Sequence, residues 1–595
     1  MMPTELPSGR YMSCAFALPP DAGGQTRALL MRNRIFALEG GVRPELLTLG
    51  AQPDHGERCE RLRERGLLLD DMPVFNIFEH YRDHGWSDDG KPARELEDLG
   101  RYLIREDTTP AGAPWRAVYR PEQGKRPVFD YLRADGTPFV RMRRFSKGKK
   151  WSWPESIQQI GPDGTVLGEF ESLGQWFRRW IRDLLGDDKR AFVFIDSRFV
   201  VPHLVPMLGP RIYLIYKMHN LHVGPPRRWD SEMNPVYDRV LRRFNGMDAM
   251  VTLTERQRED LAARRGRTSN MFVVPNPVVM PDPPVPLPER DPKRVTIVAR
   301  LEKQKRLTDA IAAFERVLES VPGARLDIYG EGAERAALQG EIDARDLGGS
   351  VVLRGFDPRA ADALWTSTAF LMTSAFEGYP LSTLESMSRG CPVVSYDIKY
   401  GPREQITDGV DGFLVPAGDT ELLARRVIEL LTSPELAQRM SAAARARAES
   451  YGPREFLASW AGVLQETVQR KPLRTRIEGV RFELTRLDPA SPLRRVLGRH
   501  SRRALRLDAE LEIDGRGGGT GWGAVEFALD WIDSGTGAVT AERVRARRSK
   551  RVFRLRATIE PPAGNAWLRL RLTWANSAWQ TEVARVRRGK LKRSA

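Results

Sequence analysis

The stretch Ser374-Ala375-Phe376-Glu377-Gly378-Tyr379-Pro380-Leu381-Ser382-Thr383-Leu384-Glu385-Ser386-Met387 decides how the rest of the chain is read. Just before and into it, Ala369-Phe370-Leu371-Met372-Thr373-Ser374 is short and apolar, which predicts a buried strand. Gly378 and Pro380 interrupt regular structure, and Ser382-Thr383-Leu384-Glu385 opens a helix that runs through Met387. A strand, a tight loop and a helix start make an anion site, because the first helical amides have no partner inside the helix. Glu377 and Glu385 stand beside that site and would be repelled by phosphate, so their expected task is to hold hydroxyl groups. A ligand that carries both phosphate and hydroxyls, such as a sugar nucleotide, fits this pattern.

Outward from this loop, alternating strands and helices fill 293–470. The first strand, Arg294-Val295-Thr296-Ile297-Val298-Ala299, ends at Arg300 and Lys305, and Gly330-Glu331-Gly332 forms a tight turn after a second. Six prolines between Val279 and Pro292 mark a linker. On its other side lies a second α/β pattern, opened by the strand Tyr11–Leu18 and the glycine loop Gly23-Gly24 before a helix. The pattern is interrupted where Ala134-Asp135-Gly136 and Pro162-Asp163-Gly164 give hairpin turns between β-rich segments. After Pro472, segments such as Trp567-Leu568-Arg569-Leu570-Arg571-Leu572 alternate apolar with charged residues, and their arginines are expected on a solvent face. The expected division is 1–72 with 169–280 as one Rossmann-like lobe, 73–168 as an inserted antiparallel β-meander, 281–292 as a proline-rich linker, 293–470 as a second Rossmann-like lobe, and 473–595 as a basic β-sandwich. The class is α/β, two lobes facing a cleft.

Composition narrows the function. At 595 residues the chain exceeds a single core. The net charge is +16, and 473–595 alone holds 27 Lys and Arg against 13 Asp and Glu. That segment should favour a polyanion or an anionic membrane surface. There is no run of about eighteen apolar residues and no apolar signal core at the N-terminus, so a cytoplasmic protein is expected, peripheral at the inner face of the membrane. Cys14, Cys59 and Cys391 lack metal-ligand spacing and read as reduced structural thiols. His219-Asn220-Leu221-His222 follows a strand, where ligands bind in parallel sheets; His219 is the preferred hydrogen-bonding residue, and no third metal ligand stands nearby. Lys149 and Trp151, in a run of cations and aromatics, could touch an anionic chain or a sugar face.

With the lobes and the double-glutamate loop identified, the chain resembles the retaining GT-B glycosyltransferases of family 4 over about 10–470, the meander excepted. The resemblance is carried by Glu377 and Glu385 in their loop, Val298-Ala299-Arg300-Leu301-Glu302-Lys303-Gln304-Lys305-Arg306-Leu307, Tyr329-Gly330-Glu331-Gly332 and Asp408-Gly409-Val410-Asp411-Gly412-Phe413-Leu414-Val415. Within that family it looks like the bacterial enzymes that glycosylate poly(glycerol phosphate) or poly(ribitol phosphate) of teichoic acids, through Gly23-Gly24-Gln25-Thr26-Arg27, the β-rich insertion and His219 to His222. The C-terminal domain lies outside the family's core pattern.

The resemblance implies roles. Arg300, Lys305 and the amides of Leu381, Ser382 and Thr383 would take the donor diphosphate, with Gly24 and Gly378 allowing close approach. Glu385 would hold the ribose, and Glu377 and His219 would work at the transferred sugar. Asn220 and His222 would face the acceptor; Lys149 and Trp151 are acceptor candidates from their own run of cations and aromatics alone, for which a solvated hairpin with a packed Trp is the plainer reading. It implies no metal and no cofactor: the substrate is a nucleotide-sugar, UDP-glucose or UDP-N-acetylglucosamine. It also implies front-face attack in which the donor phosphate accepts the acceptor's proton. The expected acceptor is an anionic polyol phosphate polymer or another envelope glycan. A hexosyltransferase for capsule, exopolysaccharide or a lipid-linked glycan is the second reading, and a non-catalytic polyanion- or nucleic-acid-binding protein on the same body a third, against which the intact charged set argues. No specific nucleic acid is expected, and a homo-oligomer is compatible with the sequence.

Overall fold

The computed structural model describes residues 5–19, 23–85, 94–120, 127–143, 156–186, 190–207, 209–266, 268–489, 505–517, 521–534, 539–562, 565–575, 577–587 and 590–593. Lys149 and Trp151 lie outside the described residues. The chain divides into two compact units, Glu5–Lys217 with Pro235–Met250, and Met218–Asn234 with Val251–Ala595.

In the first unit the strands Ile212–Lys217, Ala191–Ile195, Arg10–Ala15, Pro44–Thr48 and Val74–Asn76 lie side by side and parallel, in that order. Ala191–Ile195 is buried throughout, as a parallel strand covered on both faces requires. The helix Leu173–Leu185 packs Trp176, Phe177, Trp180 and Ile181 inward, and Ser172 caps its first turn by accepting from the Gln175 amide. The inserted meander is a seven-stranded antiparallel sheet. Two of its hairpins turn at the expected glycines, Gly136 and Gly164, with φ of 83° and 81°. In both, the Asp before the glycine accepts from the amide of the Thr after it. A buried pair, Arg141 on Asp130 at 2.7 Å, ties two strands of this sheet together.

The second unit contains a six-stranded parallel sheet in the order Val351–Gly355, Arg325–Tyr329, Asp291–Val298, Ser367–Met372, Val393–Asp397, Gly412–Pro416. The chain builds outward from Asp291–Val298 in one direction, then returns to its other side with Ser367–Met372 and builds the opposite way. The strand order therefore reverses between Asp291–Val298 and Ser367–Met372, and ligands in open α/β sheets bind at the carboxyl ends of strands at such a point.

The C-terminal domain of this unit is a sandwich of a four-stranded and a five-stranded antiparallel sheet around one apolar core. Most described arginines on the outer face of the four-stranded sheet are paired: Arg481 with Glu512 at 2.8 Å, Arg554 with Glu510 at 2.8 Å and Arg556 with Asp508 at 3.0 Å. Arg545, Arg547 and Lys550, on and around its edge strand Ala546–Ser549, have no carboxylate partner among the described residues. The expectation that every strand arginine faces solvent is corrected at Arg569. It is 2% exposed and bonded to the fully buried Asp530 at 2.6 Å.

Candidate active site

The carboxyl ends of the two strands at the reversal carry the loops that the sequence singled out. After Asp291–Val298 the chain passes Arg300 and a short turn, Lys303–Lys305, before Arg306 turns it (φ 47°) into the helix Leu307–Ser320. After Ser367–Met372 comes the loop that holds Glu377, then the helix Leu381–Ser388. Four bonds fasten the two loops to each other. The Ala375 amide donates to Gln304 O at 2.8 Å. Gln304 Nε2 donates to Phe376 O at 2.8 Å. Thr373 Oγ1 donates to Lys305 O at 2.9 Å. Lys305 Nζ meets Glu377 Oε1 at 2.6 Å, with 16% and 11% of the two side chains exposed. Two residues expected to act separately, one on phosphate and one on sugar, are thus joined in an ion pair largely shielded from water.

Arg300, in the same turn as Lys305, is exposed and pairs with no carboxylate among the described residues. The glycines of Gly330-Glu331-Gly332 explain how that turn is held. A Cβ on Gly330 (φ 142°) would lie 1.8 Å from Ala299 O, and one on Gly332 would lie 2.3 Å from Leu301 O. The Leu301 amide also donates to Glu331 O at 2.9 Å. These glycines are backbone-packing residues that fix the arginine turn.

The helix Leu381–Ser388 begins after Pro380, and among the described residues no side chain caps it. Its first amides, those of Leu381, Ser382 and Thr383, are unpaired within the helix by geometry. Thr383 has its side chain buried, its hydroxyl on Met372 Sδ at 3.5 Å, so it offers an anion only its backbone. Glu385 is half-buried on the same helix.

His219 enters from the segment Met218–Asn234. Gly378 packs so tightly on it that a Cβ there would come within 1.9 Å of His219 O and 2.8 Å of Asn220 Cα. The histidine backbone therefore lies against the residue that follows Glu377. Asn220 O accepts from Gln257 Nε2 at 3.0 Å. The Glu377 loop is further pinned by its amide, which donates to Lys399 O at 3.1 Å, and by its carbonyl, which accepts from the Tyr400 amide at 2.9 Å. The Lys399 ammonium and the Tyr400 hydroxyl both meet the carboxylate of Asp260. Gly24 opens the helix Gly24–Leu38 of the first unit, with open space where a Cβ would stand.

His222 corrects an expectation. It does not face an acceptor: it is fully buried among Leu221, Val223 and Tyr400, stacked on the Tyr400 ring at 6.2 Å and 2°. Burial, with the Arg264 and Lys399 charges behind it, pushes its pKa down to about 3. An unfolded histidine titrates near about 6.5. Between those values the unfolded chain holds the extra proton, so the neutral ring's stability is complete above about pH 6.5 and is lost as pH falls through the folded value. His222→Leu should therefore lose less Tm than the parent when pH drops from about 7 to 4. An identical slope in calorimetry at both ends would contradict this.

One residue at this site was not found in the sequence. Arg227 (φ 64°) places its guanidinium 5.0 Å from the centre of the Phe376 ring, beside Glu377. Burial, and to a smaller extent the nearby Arg306 cation, lower its pKa from the usual guanidinium value. It pairs with no carboxylate among the described residues. No local pattern in Gly224-Pro225-Pro226-Arg227-Arg228 announces a contact with a loop so far along the chain. Among the described residues no group of three or more His, Cys, Asp or Glu is arranged to hold a metal. No described helix is long and apolar enough to cross a membrane.

At this reversal the chain carries an exposed arginine, a shielded lysine–glutamate pair and an uncapped helix start, with the backbone of the His219 segment packed against Gly378. Known proteins resemble the chain in sequence and in fold. Residues 282–447 match the family model for glycosyl transferases group 1. The poly(glycerol-phosphate) alpha-glucosyltransferase of Bacillus subtilis is 30% identical over 535 residues, 80% of this chain and 77% of that one. The poly(ribitol-phosphate) alpha-N-acetylglucosaminyltransferase of Staphylococcus aureus is 28% identical over 222 residues, 37% of this chain and 44% of that one. A crystal structure of a S. aureus TarM variant with fondaparinux, alpha-GlcNAc-glycerol and UDP superposes with a TM-score of 0.59 at 19% identity, covering 77% of this chain and all of that one.

Proposed function

The chain belongs to the glycosyltransferase family of the Bacillus subtilis poly(glycerol-phosphate) alpha-glucosyltransferase and has the GT-B fold, and we propose that it moves glucose or N-acetylglucosamine from a UDP-sugar, with retention, to a hydroxyl of a polyol phosphate polymer of the cell envelope. The observation that carries this reading is the Lys305–Glu377 pair at the strand-order reversal, with an uncapped helix start following and His219 alongside. In this reading Arg300, Lys305 and the amides of Leu381, Ser382 and Thr383 receive the donor diphosphate. Positive charge fixed where the leaving group gains negative charge stabilises the transition state more than the ground state. Glu385 holds the ribose. When phosphate arrives, Lys305 is shared between it and Glu377, and the carboxylate becomes available to the sugar hydroxyls and to the positive charge that develops at the anomeric carbon. The bond from that carbon to the phosphate oxygen breaks as the bond to the acceptor oxygen forms on the same face, and the acceptor's proton passes to the departing phosphate. His219 orders the reacting hydroxyls. Arg227 meets the phosphate that neighbours the acceptor hydroxyl, and the unpaired edge cations Arg545, Arg547 and Lys550 hold more distant repeats of the same chain.

The test is transfer by the full chain from labelled UDP-glucose and UDP-N-acetylglucosamine to poly(glycerol phosphate), poly(ribitol phosphate), a lipid-linked glycan and uncharged dextran, with the product anomer read by NMR. Label in a phosphate polymer, in the donor's own anomeric configuration and absent from dextran, is expected. Transfer to a lipid-linked glycan alone would favour the hexosyltransferase reading. Inversion, or no transfer from either donor, would overturn the proposal.

A further inference from the structure

The C-terminal sandwich is not hung loosely behind the site. Its five-stranded sheet turns Trp567 and Arg569 outward, and that face is covered by two pieces of chain that also build the site. Trp567 stacks on Trp229 with ring centres 6.3 Å apart and planes 23° apart. The Arg569 guanidinium lies 5.6 Å from the centre of the Trp229 ring and donates to Arg264 O at 3.4 Å, while its other nitrogens hold the buried Asp530. Arg264 in turn donates from Nε to Trp229 O at 3.0 Å and reaches Ser231 O, fastening the loop that follows His219. An open pocket of about 510 Å³ is lined from both sides of this docking, by Arg258, Ser269 and Phe272 on one and Glu526 and Ala575 on the other. The docking centres on the Trp229–Arg569–Arg264 cluster and continues through Gly266, packed against Arg571 and Thr573, and the Ser269 amide, which donates to Ala575 O at 3.2 Å.

Arg264 lies in the last turn of the helix Glu255–Arg265, and the same helix touches the site with its first half. Gln257 donates to Asn220 O, and Asp260 receives both Lys399 and Tyr400, whose backbone brackets Glu377. An eleven-residue helix is about 16 Å long and stiff. It is a strut with the sandwich at one end and the His219–Glu377 contact at the other.

We propose that the sandwich braces the active site: Trp229 and Arg569 are positioning residues that hold the helix Glu255–Arg265, and through it the His219 segment and the Glu377 loop, in the geometry that transfer needs. The donor groups, Arg300, Lys305 and the start of the helix Leu381–Ser388, are carried on strand ends of the parallel sheet and should feel the strut less than Glu377 does, Lys305 only through its tie to that loop.

Two variants of the full chain separate bracing from mere stabilisation. Trp229→Ala takes the ring from the loop and leaves the Asp530–Arg569 pair intact. Arg569→Lys keeps a cation on Asp530 but withdraws the guanidinium from Arg264. With UDP-glucose and poly(glycerol phosphate), each should lower kcat about tenfold with the donor KM within about twofold, since small misplacement of reacting groups costs rate rather than donor binding. The double variant should be no slower than the worse single one, because both act through one contact. Trp229→Phe should restore most of the rate, and Arg481→Ala, on the opposite sheet, should leave it unchanged. Backbone hydrogen exchange at Glu377 and Tyr400 should quicken about tenfold in both variants, while the parallel-sheet strands stay protected. The kinetic arm rests on the functional reading above. The exchange arm does not, so a wrong substrate and a wrong brace give different results. Parental exchange at Glu377 and Tyr400, multiplicative rate losses in the double variant, or failure of both single variants to fold would overturn the proposal.

Discussion

Lys305→Ala and Glu377→Gln are each expected to cut transfer about a thousandfold, the loss typical of removing a charge aimed at a transition state, and they should do so in kinetically different ways. Lys305 is one of the groups read as gripping the diphosphate, so its removal should weaken UDP binding as well as slow the chemical step. Glu377→Gln keeps the shape of the loop and leaves Lys305 free for phosphate, so UDP should bind at least as tightly while kcat collapses. The contact at 2.6 Å explains why neither change is silent in the resting enzyme: each leaves a mostly shielded charge without its partner. The protein should still fold, with the Tm of the transition that reports this domain a few degrees lower. Isothermal titration with UDP and turnover with UDP-glucose test the pair. Near-normal turnover in both variants would remove the site from this loop.

Much of this was legible in the sequence because it depends on local rules. Parallel strands that are buried on both faces read as short apolar runs, and the Asp-Gly hairpins need positive φ at their glycines; both could be placed by inspection. Lys305 and Glu377 could be named, but the bond between them could not, since 72 residues separate them and no spacing encodes the contact. The same holds for Asp260, 140 residues from Tyr400 in sequence. His219 and His222 look equivalent on paper; only the packing of Leu221, Val223 and Tyr400 shows that one is interior. Arg569 was misread for a different reason. Alternation correctly put it on the outward face of its sheet, but alternation says nothing about what covers that face, and here Trp229 and the end of the helix Glu255–Arg265 do. The C-terminal charge is the converse case. The cations counted in the sequence are real, yet many are answered across the strands by Glu510, Glu512 and Asp508.

The sharpest test of the geometry adds one methyl group and no charge. Gly378→Ala should lower kcat by at least about a hundredfold, a loss of the size expected when reacting groups shift by about an ångström. Gly378 is not among the residues with positive φ, so alanine suits its backbone and the effect cannot come from conformational strain. What it meets is space already taken: the new carbon would sit 1.9 Å from His219 O and 2.7 Å from the carbonyl carbon behind it. These are backbone atoms of a segment held by Gln257, so they cannot swing aside as a side-chain tip would. Either the Glu377 loop or the histidine must move, and both outcomes separate the carboxylate from its neighbour. Gly340→Ala is the matched control. It lies inside the helix Arg335–Ala344 with nothing within 4 Å of a Cβ, and should raise stability by about 0.5–1 kcal/mol with kcat unchanged. Circular dichroism should be the same for both variants and the parent. If Gly378→Ala turned over within a few-fold of the parent, His219 and Glu377 would not need to be neighbours, and the chemistry would have to be assigned elsewhere.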